Sequence, residues 1–355
     1  MLEGQVNLFT MINCLHHFEI LTNSSRNLLN YFVNGFKFKL VLSKNTGIYE
    51  QYLVSSNSIN FLITSLSQKP KETPQYSTST ASDSYYNTSL LNIEQTDKHL
   101  YDLVLDKKNT VFNAAFQVRD LDKILLNCKN HNVKIIKDKH ELIDRDHGRV
   151  QCAIIKSCVD GVTHSLFDLK NYTGKFLPGY EISSRLHEQV ASSMTFATHF
   201  DHLTYATHKN TSKNLIEWYK NIFNMKHFRI NRENDENGGL NVRTGSSGMN
   251  IKAIKYWLCA ETGVEFDKSN ATPSPESKSF KFVISEPLED DSEVTSKNAN
   301  KNQISIFLDE HNGPGIQHIG LHTPDIFDAV KASKENCNQI KYYVTPESYY
   351  QSVSY

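Results

Sequence analysis

The chain has little of what marks several protein classes. Its six cysteines, Cys14, Cys128, Cys152, Cys158, Cys259 and Cys337, contain no C-x-x-C pair. That spacing excludes a zinc-ribbon motif, and the scatter reads as buried thiols of a reducing compartment rather than a disulfide framework. No apolar run approaches the roughly 20 residues of a membrane span. The N-terminus has neither the basic start and small-residue cleavage site of a secretory signal nor the arginine content of a presequence. The formal net charge is -1, so no nucleic-acid or membrane-surface footprint is expected. An intracellular protein follows, cytoplasmic or mitochondrial.

What is present is length and a core. The chain has 355 residues, 39% of them hydrophobic, enough for two domains. Apolar alternation predicts strands over 15–20, 35–42, 50–54, 59–64, 111–118, 133–136, 150–157 and 164–169. Helices are expected over 25–34, capped by Ser24 or Ser25, and over 120–130. Residues 67–98 are Ser/Thr/Pro/Tyr-rich without periodicity and read as an insertion, and 174–181 as a linker. The pattern then starts again. A strand over 200–205 precedes a helix over 212–223, and strands follow over 249–258, 280–285 and 341–344. Loops over 259–279 and 289–302 interrupt the series, and a short helix should begin at Gln303.

Near the end stands Gly313-Pro314-Gly315-Ile316-Gln317-His318-Ile319-Gly320-Leu321-His322-Thr323-Pro324-Asp325. It reads as a Gly/Pro turn, a strand that sends His318, Gly320 and His322 to one face, then a helix over 326–334. Thr323 is the expected N-cap and Pro324 the first helical residue. The two halves form an internal repeat in which His17 corresponds to His202, and Asn113 to His318. His202 and His318 fall on counterpart strands, so their imidazoles can converge on one metal ion, and two histidines with a carboxylate suit non-haem iron. A lone strand histidine is more often a packed, hydrogen-bonded residue than a ligand, and spacing alone leaves both readings open. His17 is expected to be structural, and His208, His311 and His322 to be surface or loop residues.

Several motifs carry a resemblance: Gly148-Arg149-Val150-Gln151-Cys152-Ala153-Ile154, Thr163-His164-Ser165-Leu166, and Asn171-Tyr172-Thr173-Gly174-Lys175-Phe176-Leu177-Pro178-Gly179-Tyr180-Glu181. Asp201-His202-Leu203-Thr204, Glu217-Trp218-Tyr219, Gln303-Ile304, residues 312–323 and Tyr349-Tyr350-Gln351 continue it. Together they resemble the 4-hydroxyphenylpyruvate dioxygenase family of the vicinal-oxygen-chelate superfamily, and within it the hydroxymandelate-synthase type.

The resemblance implies an α+β fold of tandem βαβββ modules. A metal-free module would span 10–180 and a metal-bearing one 198–355, the latter incomplete at its C-terminus. It implies Fe(II) held by His202 and His318, with Gln303 and Gln317 lining the pocket of a small aromatic α-keto acid. The reaction would be oxidative decarboxylation and hydroxylation of 4-hydroxyphenylpyruvate by O2, in tyrosine catabolism, by a soluble homo-oligomer. Two departures qualify this. The family's third ligand is a glutamate on a strand beyond Tyr349-Tyr350-Gln351, and neither Glu335 nor Glu347 has a matching context. The expected alternative is therefore a fragment, or an inactive member acting as a binding protein. The family's Pro-x-Asn-Glu-Pro segment reads Val283-Ile284-Ser285-Glu286-Pro287 here, with Ser285 in place of a pocket amide, which favours 4-hydroxymandelate over homogentisate as product.

Overall fold

The computed structural model describes residues 11–46, 49–66, 109–183, 196–228, 239–244, 247–255, 280–288, 302–336 and 340–342. The expected insertions over 67–98 and 259–279 lie outside these residues, as does 289–301.

The first sheet contains β1 (Ile12–Thr22), β2 (Lys39–Asn45), β3 (Tyr49–Ser56), β4 (Ile59–Leu66), β5 (Thr110–Val118), β6 (Ile135–Asp144), β7 (Gly148–Lys156), β8 (Thr163–Asp168) and β9 (Glu181–Ile182). Their order is β6-β7-β8-β5-β1-β4-β3-β2-β9. Helix α1 (Ser25–Asn30), prolonged by a π turn over Tyr31–Gly35, follows β1, and α2 (Leu121–Asn130) follows β5. β1 runs parallel to β4, β5 runs parallel to β8, and β1 and β5 pair antiparallel at the centre. The sheet is therefore two βαβββ units back to back. The second sheet repeats the scheme with β10 (His199–Ala206), α3 (Ser212–Phe223), β11 (Lys226–Phe228), β12 (Leu240–Thr244), β13 (Ser247–Lys255) and β14 (Lys281–Pro287). After α4 (Gln303–His311), β15 (Gly315–His322) pairs antiparallel with β10 and leads into α5 (Ile326–Asn336).

Alternation along the strands decides what each face does. On β1, Phe18 and Ile20 enter the common core, while His17 and Glu19 point to the opposite face. On β10, Leu203 and Tyr205 enter that same core. The sheets meet there through aromatic pairs: Phe18–Phe200 at 5.1 Å, Phe61–Phe200 at 5.2 Å and Phe116–Phe282 at 6.0 Å between ring centroids. A buried polar relay crosses the seam. His164 Nδ1 donates to the Ala114 carbonyl at 2.9 Å, so its Nε2 accepts from Tyr219 Oη at 2.8 Å, and Tyr219 accepts from Tyr205 at 2.5 Å.

Local chemistry explains most element ends. Asp120 caps α2 by accepting from the Lys123 N–H, and Asn302 caps α4 by accepting from Ile304 and Ser305. Asn302, the last residue of the expected 289–302 loop, is thus part of the helix start. Four expectations fail. Ser24 makes no side-chain cap to α1. α5 begins at Ile326, with Asp325 accepting from the Asp328 N–H, while Thr323 only bonds the Asp325 carbonyl. Thr323 and Asp325 offer two caps two residues apart, and the aspartate side chain wins. β6 continues well past 136 because it is an edge strand, whose solvated side chains hide the alternation. Lys341 and Tyr342 are not in a strand, and the rest of that expected strand lies outside the described residues.

Two measurable consequences follow from the relay. Tyr219→Phe removes one hydroxyl, strands the His164 Nε2 and takes one partner from the Tyr205 hydroxyl, so urea denaturation should show a loss of about 1–3 kcal/mol. Burial holds His164 at about 4, below its ordinary 6.5. The folded protein keeps it neutral while the unfolded chain takes up a proton. Stability should be full above about pH 6.5 and fall as pH drops towards 4, by on the order of 3 kcal/mol from this group. Unfolding midpoints measured across that range test the sign.

Candidate metal centre

The site is set by the pairing of β10 with β15. His202 lies opposite Gly320, and Thr204 lies opposite His318. His202 and His318 are therefore diagonal neighbours on one face, close enough for long side chains to meet. They meet because Gly320 leaves the space. A Cβ on Gly320 would sit 2.3 Å from His202 Cε1, so the imidazole crosses the strand where a side chain would otherwise stand. The two rings lie edge to face with centroids 5.3 Å apart, and the Nε2 atoms are 3.2 Å apart.

Neighbouring groups fix both tautomers. His202 Nδ1 lies 2.7 Å from Asp201 Oδ2, and His318 Nδ1 lies 3.2 Å from Gln317 Oε1. Each acceptor holds the ring proton on Nδ1, leaving an Nε2 lone pair. Thr204 Oγ1, 2.9 Å from His318 Nε2, points its hydroxyl at the same spot. Asp201 is held in turn by Lys281 at 2.8 Å, from the residue of β14 paired with His202. Burial works against the Asp201 charge, but the bonds from Lys281 and His202 outweigh it and keep the carboxyl below its ordinary range. His318 is pushed below the ordinary imidazole value, first by desolvation and then by His202.

Two converging lone pairs repel unless a cation lies between them. Nitrogens each about 2.1 Å from one ion, at a right angle, would stand about 3 Å apart. The observed 3.2 Å therefore fits two ligands of a transition-metal ion, with Asp201 and Gln317 as the outer hydrogen bonds that orient such histidines. Among the described residues no third histidine, cysteine or carboxylate joins them, since the group that does satisfy a three-ligand test is Asp144, Asp146 and His147. That trio sits in the exposed β6–β7 turn, and Asp144 Oδ1 is occupied by both following N–H groups and the His147 ring.

The other expected site residues take different places. Gln317 bonds His318 and also approaches the Gln303 carbonyl at 3.5 Å. Gln303 itself is exposed on the first turn of α4, with its amide 3.4 Å from Met249 Sδ. Ser285 is buried on β14, in register with Ala206 of β10, two positions beyond Thr204. α4 closes that end of the face by packing Ile304 and Leu308 on Ala206. Asp201, Thr204, Lys281 and Gly320 are not among the site residues expected from the sequence. The Asp201-His202 adjacency was the available signal for one of them, and only strand register reveals the others. His311 is no free surface residue: it stacks on Phe307 and reaches Thr110 of the first sheet at 3.2 Å. His322 is exposed and stacks on His199 at 4.4 Å.

The pairing predicts the outcome of one substitution. Gly320→Ala should turn the His202 ring away from His318 and weaken binding of added Co(II), read by visible absorption, about as much as His202→Ala does.

No family model matches the chain. The 4-hydroxyphenylpyruvate dioxygenase-like protein of Mus musculus is 27% identical over 205 residues, covering 58% of this chain and 47% of that protein. The 4-hydroxyphenylpyruvate dioxygenase of Dictyostelium discoideum is 23% identical over 262 residues, covering 72% and 60%. The chain thus spans about half the length of such relatives. Among solved structures, a mutant of 4-hydroxymandelate synthase from Streptomyces coelicolor superposes with a TM-score of 0.64 at 14% identity, over 97% of this chain and 80% of that one. Relatives and fold agree: the chain is similar in sequence to 4-hydroxyphenylpyruvate dioxygenases and dioxygenase-like proteins, and it shares the tandem βαβββ fold of the 4-hydroxymandelate synthase structure.

Proposed function

We propose that the chain is the metal-bearing part of a non-haem Fe(II)-dependent dioxygenase that acts on 4-hydroxyphenylpyruvate. The observation that carries this is the convergence of two Nε2 lone pairs, 3.2 Å apart, with both Nδ1 protons tied elsewhere. On this reading 10–180 is a metal-free vicinal-oxygen-chelate module and 198–355 the module that holds iron through His202 and His318. Bound there, Fe(II) supplies a place for O2 beside the α-keto carboxylate of the substrate.

The protein's own groups do the rest. Asp201, anchored by Lys281, keeps the His202 proton on Nδ1. Gln317 does the same for His318 and stays neutral beside the metal. Gln303 and Ser285 flank the end of the face that α4 covers, where an aromatic acid would lie, and the α4 side chains exclude water there. Ser285 presents a short hydroxyl in place of a longer amide, which supports hydroxylation at the benzylic carbon and 4-hydroxymandelate as product.

Anaerobic loading with Fe(II), followed by O2 uptake with 4-hydroxyphenylpyruvate, tests the reading. Coupled loss of both substrates is expected, dropping more than about 100-fold in His202→Ala or His318→Ala. Homogentisate as sole product would overturn the assignment of product. A second reading, a binding protein of this fold without turnover, is favoured by the missing third ligand among the described residues. It stands if the protein binds the acid but neither retains iron nor consumes O2.

A further inference from the structure

A buried hydroxyl already occupies one of the two lone pairs at the candidate metal position. Thr204 of β10 lies directly opposite His318 of β15 and is 1% exposed. Its Oγ1 stands 2.9 Å from His318 Nε2. Gln317 Oε1 holds the His318 ring proton on Nδ1, so Nε2 is the acceptor and the threonine is the donor. We propose that Thr204 regulates metal loading: in the metal-free protein its hydroxyl proton sits on His318 Nε2, an incoming ion must displace it, and the site therefore binds metal more weakly than its two histidines alone would. The proposal rests on the reading that His202 and His318 hold the metal ion.

The internal repeat shows that a bond at this place is a feature of both sheets. Glu19 lies opposite Asn113 in the β1–β5 pairing, as Thr204 lies opposite His318 in the β10–β15 pairing. There too the two side chains bond across the strands, with Asn113 Nδ2 donating to Glu19 Oε2 at 3.1 Å. The first sheet joins an amide to a carboxyl. The second joins a neutral hydroxyl to a neutral ring, a bond of modest net worth that an ion can replace.

Two effects of the hydroxyl act in the same direction. The Nε2 atoms of His202 and His318 are 3.2 Å apart, and each ring keeps its proton on Nδ1. Their lone pairs repel, and the Thr204 proton on one of them relieves that repulsion, which stabilises the metal-free state. An ion that takes the His318 lone pair also deprives Thr204 of its acceptor. Among the described residues Thr204 Oγ1 makes no other hydrogen bond, and a buried hydroxyl without a partner is costly. Ring orientation does not depend on the hydroxyl, because Gln317 still ties His318 and Asp201 still ties His202. Removing the hydroxyl therefore frees a ligand without releasing either ring.

Adding Co(II) to the metal-free protein, followed by visible absorption, reads the affinity. Thr204→Val should bind Co(II) at least about fivefold tighter than the parent, and Thr204→Ser, which keeps the hydroxyl, should stay within about twofold of it. Nitrogen NMR of the metal-free protein should show His318 Nε2 as a hydrogen-bond acceptor in the parent and in Thr204→Ser, and as an unbonded nitrogen in Thr204→Val. Should Thr204→Val fail to fold, Thr204→Ala reads the same quantities. Equal or weaker Co(II) binding in the variant that lacks the hydroxyl overturns the proposal, and weaker binding would mean that Thr204 supports the ion instead of competing with it. His202→Ala separates this result from the reading beneath it. Unchanged Co(II) binding in His202→Ala would remove the metal centre itself, whereas loss of binding there with no gain in Thr204→Val would remove only the role of Thr204.

Discussion

The register between two antiparallel strands controls the candidate centre. β10 and β15 pair so that an imidazole faces a glycine and a hydroxyl faces an imidazole. Shifting that pairing by one residue would send every one of these side chains to the opposite face. It would drive His202 and His318 into the aromatic core and expose Leu203 and Tyr205. The burial of those apolar side chains on the far side holds the register, so the hydrophobic seam between the sheets positions the histidines as surely as any hydrogen bond.

The same pairing in the first sheet gives an instructive contrast. The backbone arrangement is alike, and the contents differ. Where the second sheet brings two neutral rings together across an empty glycine position, the first has Ala115 opposite His17 and a carboxylate caged by amides. The amide of Asn113 also ties to Ser165 on the neighbouring strand. One scaffold thus brings two imidazoles together in one sheet and surrounds a buried carboxyl with amides in the other. Leu177, Pro178 and Tyr180, from a segment among the most recognisable in the chain, line the cavity beside that carboxyl. Phe176 packs at 5.0 Å on His16 and 5.2 Å on His17, and the desolvation of both rings keeps them below the ordinary imidazole range.

Electrostatics link these features to pH. His164, His16 and His17 are all pushed down by burial, so acid works against both the seam and the first-sheet cavity. In the second sheet Lys281, Asp201 and His202 form a line that ends at the candidate metal position. Cross-strand pairing supplies the lysine, and sequence adjacency supplies the aspartate.

The sequence alone determined the α+β class, the repeat and nearly every element of strong period, with α3 found over the same residues 212–223. It also put His202 and His318 on counterpart strands, because residue type and repeat position are properties of the chain itself. Elements with weak period were read badly: the edge strand β6, the short strands β11 and β12, and the start of α5. Only the tertiary structure decided which side chains share a site. Gly320, Thr204 and Lys281 lie far from His202 or His318 in at least one direction along the chain, and Glu19 meets Gln51, Thr64 and Asn113 only across three other strands. The reason is physical: a strand's own sequence sets the face to which a side chain points, but its neighbours on that face are set by pairing, and pairing is fixed by the core that both sheets bury.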